Sequence, residues 1–156
     1  MELEGQLVGV DDAFAPIDQP PTPTQRAASL AVYCEQRLIA ERHTAAWIWG
    51  ATRAAPRRHE LCVSIGARAR SPDPGRLHVR EVVIAPHEIA RLGEVRVTTP
   101  MRTAIDLARF PEAFDAALFT ALLNVAHLTV AECVAELRNR RNLPQKKLAL
   151  TRLLAL

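Results

Sequence analysis

Five histidines, His43, His59, His78, His87 and His127, are the side chains best suited to general acid–base work or metal ligation near neutral pH. They fall in separate stretches, and a metal centre would need at least three of them to converge with a carboxylate. The chain has no G-x-S-x-G, no H-E-x-x-H and no phosphate-cradling glycine loop, and only six glycines. Metal-dependent cleavage of nucleic acid would need clustered carboxylates beside a lysine. Glu60 opens one apolar stretch, His78 and Arg80 share a face of another, and the only lysines, Lys146 and Lys147, lie near the C-terminus. A non-catalytic reading without metal or cofactor is preferred, with a divergent metal-dependent nuclease as the alternative. Cys34, Cys62 and Cys133 are scattered and odd in number, which argues against a disulfide framework and for a reducing, cytoplasmic setting.

Arg102 and Asp106 stand four apart and can pair on one helical face. An arginine in the first turn of a buried helix more often braces that helix than acts on a ligand, so the structural role is preferred. Trp47 and Trp49 could stack on a base, but aromatics in so apolar a stretch are more often core. The net charge is only +3, yet it is unevenly placed. Residues 1–20 carry acids and no base; residues 137–156 carry Arg138, Arg140, Arg141, Lys146, Lys147 and Arg152 and no acid. With Arg57 and Arg58 in a second basic stretch, these are the candidate nucleic-acid contacts, acting through phosphate. A solvated helical face is the plainer alternative.

Elements must position these groups. Val95 and Val97 alternate with polar neighbours, a strand pattern. Thr99 and Pro100 then form a helix start: a hydroxyl for an orphan N–H, and a proline where no donor is needed. The strand, cap and helix of residues 94–109 are the centre of the chain. Upstream, the prolines of residues 1–21 forbid a helix and suggest a short hairpin and linker. Thr22–Pro23 starts a helix expected to run to about Gln36, with Cys34 in its buried stripe. Residues 37–41 read as a break from which Leu38 and Ile39 reach the core. A helix from His43 or Thr44 ends at Gly50. Leu61, Val63 and Ile65 read as a strand continued by Arg68 and Arg70. The SPDPG segment predicts a reversal into a returning strand from Leu77, with a bulge near Glu81. PHEIARLG predicts one helical turn ended by Gly93. Three further helices follow: Glu112–Val125, one capped by Thr129 with Glu132 three residues on, and one begun by Asn142 and Pro144. The layout predicts an α+β fold: a small, mostly antiparallel sheet of three to four strands packed on helices, with a helical C-terminal half. No apolar run is long enough to span a bilayer.

The segment TTPMRTAIDLAR resembles the T-x-P-x-R-T-x-x-D-x-A stretch of AbiEi-type antitoxins and regulators, especially actinobacterial ones. RHTAAWIWGA resembles that family's H-x-x-A-A-x-L-H-G helix, matching at His43, Ala45, Ala46 and Gly50. Ile48 and Trp49 stand where leucine and histidine are usual. The motif residues here are His43, Thr99, Pro100, Arg102, Thr103 and Asp106, read as structural. The resemblance implies a cytoplasmic antitoxin and transcriptional autoregulator of a type IV toxin–antitoxin system. Its functional partner would be a nucleotidyltransferase-like toxin. Typical members begin with a DNA-reading winged helix-turn-helix. GQLVGVDDAFAPID looks like the tail of that wing, so residues 1–21 are expected to be a wing remnant and linker and residues 22–156 the antitoxin domain.

Overall fold

The computed structural model describes residues 7–11, 13–16, 20–33, 37–67 and 71–156. The expectations for Cys34, Arg68 and Arg70 lie outside these residues. The described residues open with an antiparallel pair, β1 (Leu7–Val10) and β2 (Ala13–Pro16). Helix α1 (Pro23–Ser29) begins at a capping box in which Thr22 and Gln25 satisfy each other's backbone N–H groups. Its α-helical part stops at Ser29, earlier than expected. The bonds of Leu30, Ala31 and Tyr33 reach back only three residues, a tight turn in place of helix.

Strand β3 is only Ile39–Ala40, then α2 (Arg42–Trp49) ends at Gly50, whose φ of +98° is the left-handed conformation of a helix stop. Strands β4 (His59–Ser64) and β5 (Leu77–Val82) follow, then β6 (Ile89–Leu92) and β7 (Val95–Thr98). The rest is helical: α3 (Pro100–Arg109), α4 (Ala116–Ala126), α5 (Val130–Asn139) and α6 (Lys146–Leu154).

The fold class is α+β, but the sheet departs from the expected one. It has five strands in the order β5-β4-β3-β7-β6 and is mixed. Pairs β3–β4 and β6–β7 are antiparallel, while β3–β7 and β4–β5 are parallel. Strand β5 runs parallel to β4 and is not the antiparallel partner that a reversal at SPDPG would give. No bulge interrupts β5: its register runs unbroken from His59↔Leu77 to Ser64↔Val82. IARL is an edge strand rather than helix. Within the PHEIARLG stretch, Pro86–Glu88 makes a short 3-10 turn, and Gly93, at φ +61°, turns β6 into β7. The middle strand, β3, lies where a break is expected, because two residues cannot show a period.

Two helix starts also move. Asp115 accepts the N–H groups of Ala117 and Leu118, so α4 begins there and not at Glu112. Helix α6 begins after Gln145, in the left-handed region, and not at Asn142. Thr129 and Glu132 form the expected capping box of α5.

The apolar core has two main parts. One lies among the sheet, α1 and α2, around Trp47, Leu30, Leu38 and Leu61. The other fills the C-terminal helices around Ile105, Phe119, Leu122, Leu137 and Leu153. Helix α2 serves both, with Trp47 and Ile48 in the first and Ala46 in the second. Among the described residues no single helix is long and apolar enough to cross a membrane.

Candidate functional site

Where the two core regions meet, charged side chains are buried in unusual number. The local cause is the β7–α3 join. Thr99 caps α3 by accepting the Arg102 N–H, and Thr103 turns its hydroxyl back to Thr98 and Thr99. This fixes the first turn and aims Arg102 inward, where it is 4% exposed. Its Nε donates to Asp106 at 2.7 Å, its Nη1 to Glu88 at 2.8 Å, and both Nη groups reach the Val83 carbonyl. Asp106, fully buried, also accepts from Arg109 Nη1 at 2.8 Å. Arg109 Nε donates to the Pro144 carbonyl, and Arg140 Nη1 pairs with Glu88 at 2.5 Å. One motif thereby ties the sheet edge, α3 and the α5–α6 turn together.

A second set adjoins it. Buried Glu41 takes a bidentate pair from Arg80, at 2.5 and 2.6 Å. Arg42, also buried, pairs with Glu60 at 2.9 Å, and Glu60 accepts both the backbone N–H and Nδ1 of His43. Arg42 sits at φ +45°, a strained position for a non-glycine residue, held by these partners. Phe110 lies under three guanidinium groups, those of Arg80, Arg42 and Arg109, at 4.4, 5.1 and 5.3 Å from its ring centre.

Proton affinities follow the geometry. Burial pushes the Glu88 carboxyl up, but the Ala85 N–H, Arg102 and Arg140 outweigh it and hold it below the ordinary value. Burial also opposes Glu60, and the His43 hydrogen bonds with the Arg42 charge again win. Arg102 and Arg80 are desolvated yet raised, by Asp106 with Glu88 and by Glu41 respectively. Arg109 goes the other way. Burial lowers it, Asp106 resists, and the nearby Arg102, Arg80 and Arg140 lower it further. Cys62 is raised by burial, and Cys133 is pushed up by burial to about 11 with help from Glu132 and Glu136. Neither thiol is poised as a thiolate nucleophile at neutral pH.

These directions give a pH dependence with a definite sign. Glu60 and Glu88 bind protons less readily folded than unfolded. Their contribution is fully present above the ordinary carboxylate value of 4.5 and is lost as pH falls through their lower folded values. Denaturant unfolding is expected to show a plateau above about pH 5.5 and a decline below about pH 4.5. Glu88→Gln should be less stable on the plateau and decline less steeply in acid. Equal acid slopes for parent and variant would contradict the assignment.

The sequence-derived candidates separate into groups. Arg138, Arg140, Arg141, Lys146 and Lys147 surround one open hollow of about 800 Å³ at the α5–α6 turn. Within it Lys146 Nζ is bound to the Arg138 and Arg140 carbonyls and Arg140 to Glu88 and Glu136, whereas Arg138, Arg141 and Lys147 are exposed. Arg57 and Arg58 lie elsewhere, beside His43, Glu60 and His78. Arg152 caps the end of α3 through the Ala108 and Phe110 carbonyls and stands over Phe114. His43 and the residues from Thr99 to Asp106 hold α2 and α3 in place. Trp47 is buried, and Trp49 donates its Nε1–H to the Thr98 carbonyl. Among the described residues no three His, Cys, Asp or Glu side chains are grouped as metal ligands. Sequence reasoning missed Glu41, Glu88 and Arg109. Only the last carried a signal, its three-residue spacing from Asp106.

The arrangement defines an α+β domain in which the motif arginine and aspartate join elements and the α5–α6 turn leaves Arg138, Arg141 and Lys147 exposed. Residues 38–156, from just before β3 to the end, match the family of the AbiEi antitoxin C-terminal domain, and the chain belongs to that family. No curated protein matches it.

Proposed function

We propose that this chain is the antitoxin-like regulatory part of a type IV toxin–antitoxin system, acting in the cytoplasm without catalysis against a nucleotidyltransferase-like toxin. The family supports the antitoxin role. The observation that supports a non-catalytic mechanism is the complete engagement of the motif pair: Arg102 and Asp106 are buried and bound to protein partners. Co-expression with the nucleotidyltransferase-like toxin of its own locus should restore growth, and a soluble, folded chain that gives no rescue would refute the role.

Any DNA contact in this reading is made to phosphates through the α5–α6 turn, where Arg138, Arg141 and Lys147 point to solvent. Such binding is sequence-independent and weakens steeply with salt. Replacing those three residues by glutamine should reduce the slope of log affinity against log salt by about 0.9 per lost contact on duplex DNA. Titration of two unrelated duplexes checks this, and strong preference for one of them would point to a recognition element elsewhere.

A further inference from the structure

We propose that the cleft between the outer edge of β5 and the α5–α6 turn is a binding site for a small phosphorylated ligand of the nucleotide class. The cleft has a volume of about 740 Å³, within the range of small-molecule sites. Five arginines line it: Arg80, Arg102, Arg109, Arg140 and Arg141. Only two acids, Glu81 and Glu88, stand in the same wall, and Glu88 is already bound by Arg102 and Arg140.

The arginines are held but not exhausted. Glu41 fixes Arg80 through Nε and Nη2, and Nη1 makes no hydrogen bond among the described residues. Asp106 and the Pro144 carbonyl fix Arg109 through Nη1 and Nε, which leaves Nη2 without a partner there. Arg141 is exposed and makes no ion pair among these residues. Forks whose orientation is already set by buried carboxylates lose little freedom when they take an anion, and guanidinium geometry matches phosphate oxygens. The like-charge pressure on Arg109 from Arg80, Arg102 and Arg140 is relieved by a bound anion.

Apart from Asn142, the rest of the lining is apolar: Val82, Val83, Ala85, Phe110, Leu143 and Pro144. Inorganic phosphate would leave that surface bare, whereas a nucleoside phosphate covers it with its base and sugar. The open hollow at the α5–α6 turn, which shares Arg140, Arg141, Asn142 and Leu143 with the cleft, differs in this: its lining is largely polar and basic. The site does not depend on the antitoxin reading.

The test is calorimetric titration of the full chain with inorganic phosphate, AMP and ATP at physiological salt, with a short duplex DNA titrated in parallel. Val83 is 77% exposed and is one of the cleft-lining residues, so Val83→Glu should fold normally while setting a carboxylate against the ligand. Thermal melts confirm folding. The expected result is saturable nucleotide binding, at least about tenfold tighter than phosphate. V83E and Arg141→Gln should each weaken it about tenfold. Lys147→Gln, which removes the same charge outside the cleft, should leave nucleotide binding unchanged while flattening the salt dependence on duplex DNA. Absence of nucleotide binding at millimolar concentration would overturn the proposal. So would equal losses from V83E and K147Q, which would mark a diffuse attraction to the basic surface, or a nucleotide affinity no better than that of phosphate.

Discussion

Asp106→Ala is expected to destabilise the protein by about 3–5 kcal/mol, the range for stripping one partner from a buried ion pair. Asp106 is fully buried and is the shared acceptor of Arg102 at 2.7 Å and Arg109 at 2.8 Å. Its loss leaves two desolvated guanidinium groups crowding each other, with Glu88 remaining for Arg102 and the Pro144 carbonyl for Arg109. For a chain of this length the loss corresponds to a fall in melting temperature of roughly 6–20 °C. Asp106→Asn keeps the shape and an acceptor oxygen but not the charge, and should fall between parent and alanine variant. Denaturant unfolding measures all three. An alanine variant within about 1 kcal/mol of the parent would show that the network has little net stabilising effect, as happens when desolvation cancels attraction.

Trp47→Ala should cost about as much by a different mechanism, roughly 3–5 kcal/mol from a cavity in a packed core. Trp47 is 1% exposed, its ring centre is 6.0 Å from that of His59, and the Arg26 guanidinium stands 5.8 Å from it. Arg26 also donates to the Trp47 and Thr52 carbonyls, so the cavity opens beside a buried cation. Trp47→Phe fills most of the space and should retain most of the stability. If instead the alanine variant melted like the parent and lost affinity for single-stranded nucleic acid, Trp47 would be a stacking platform and not core.

The two expectations rest on different kinds of legibility. Local signals fixed local structure. Thr99–Pro100 marked the start of α3, Gly50 the end of α2, and Thr129 with Glu132 the start of α5, because caps act within four residues of their own position. The Arg102–Asp106 pair was readable for the same reason, since helical geometry puts residues four apart side by side. The motif that carries the family resemblance is a run of such local devices.

Tertiary structure alone decided the rest. Two-residue β3 is central in the sheet, though nothing in the dipeptide Ile39–Ala40 announces a strand. Its hydrogen-bond partners come from β4 and β7, far along the chain. The direction of β5, parallel to β4, was not determined by the turn residues of SPDPG alone. Burial likewise depended on assembly. No local pattern marks Glu41, Glu88 and Arg109 for burial, yet all three are buried, held by Arg80, Arg102 and Asp106 respectively. The same docking divides the basic C-terminal segment: Arg140 is drawn into the network, Arg152 becomes a helix cap, and Arg138, Arg141 and Lys147 stay in solvent. Charge type was written in the sequence. Whether a charge braces the fold or faces a partner followed from which elements closed over it.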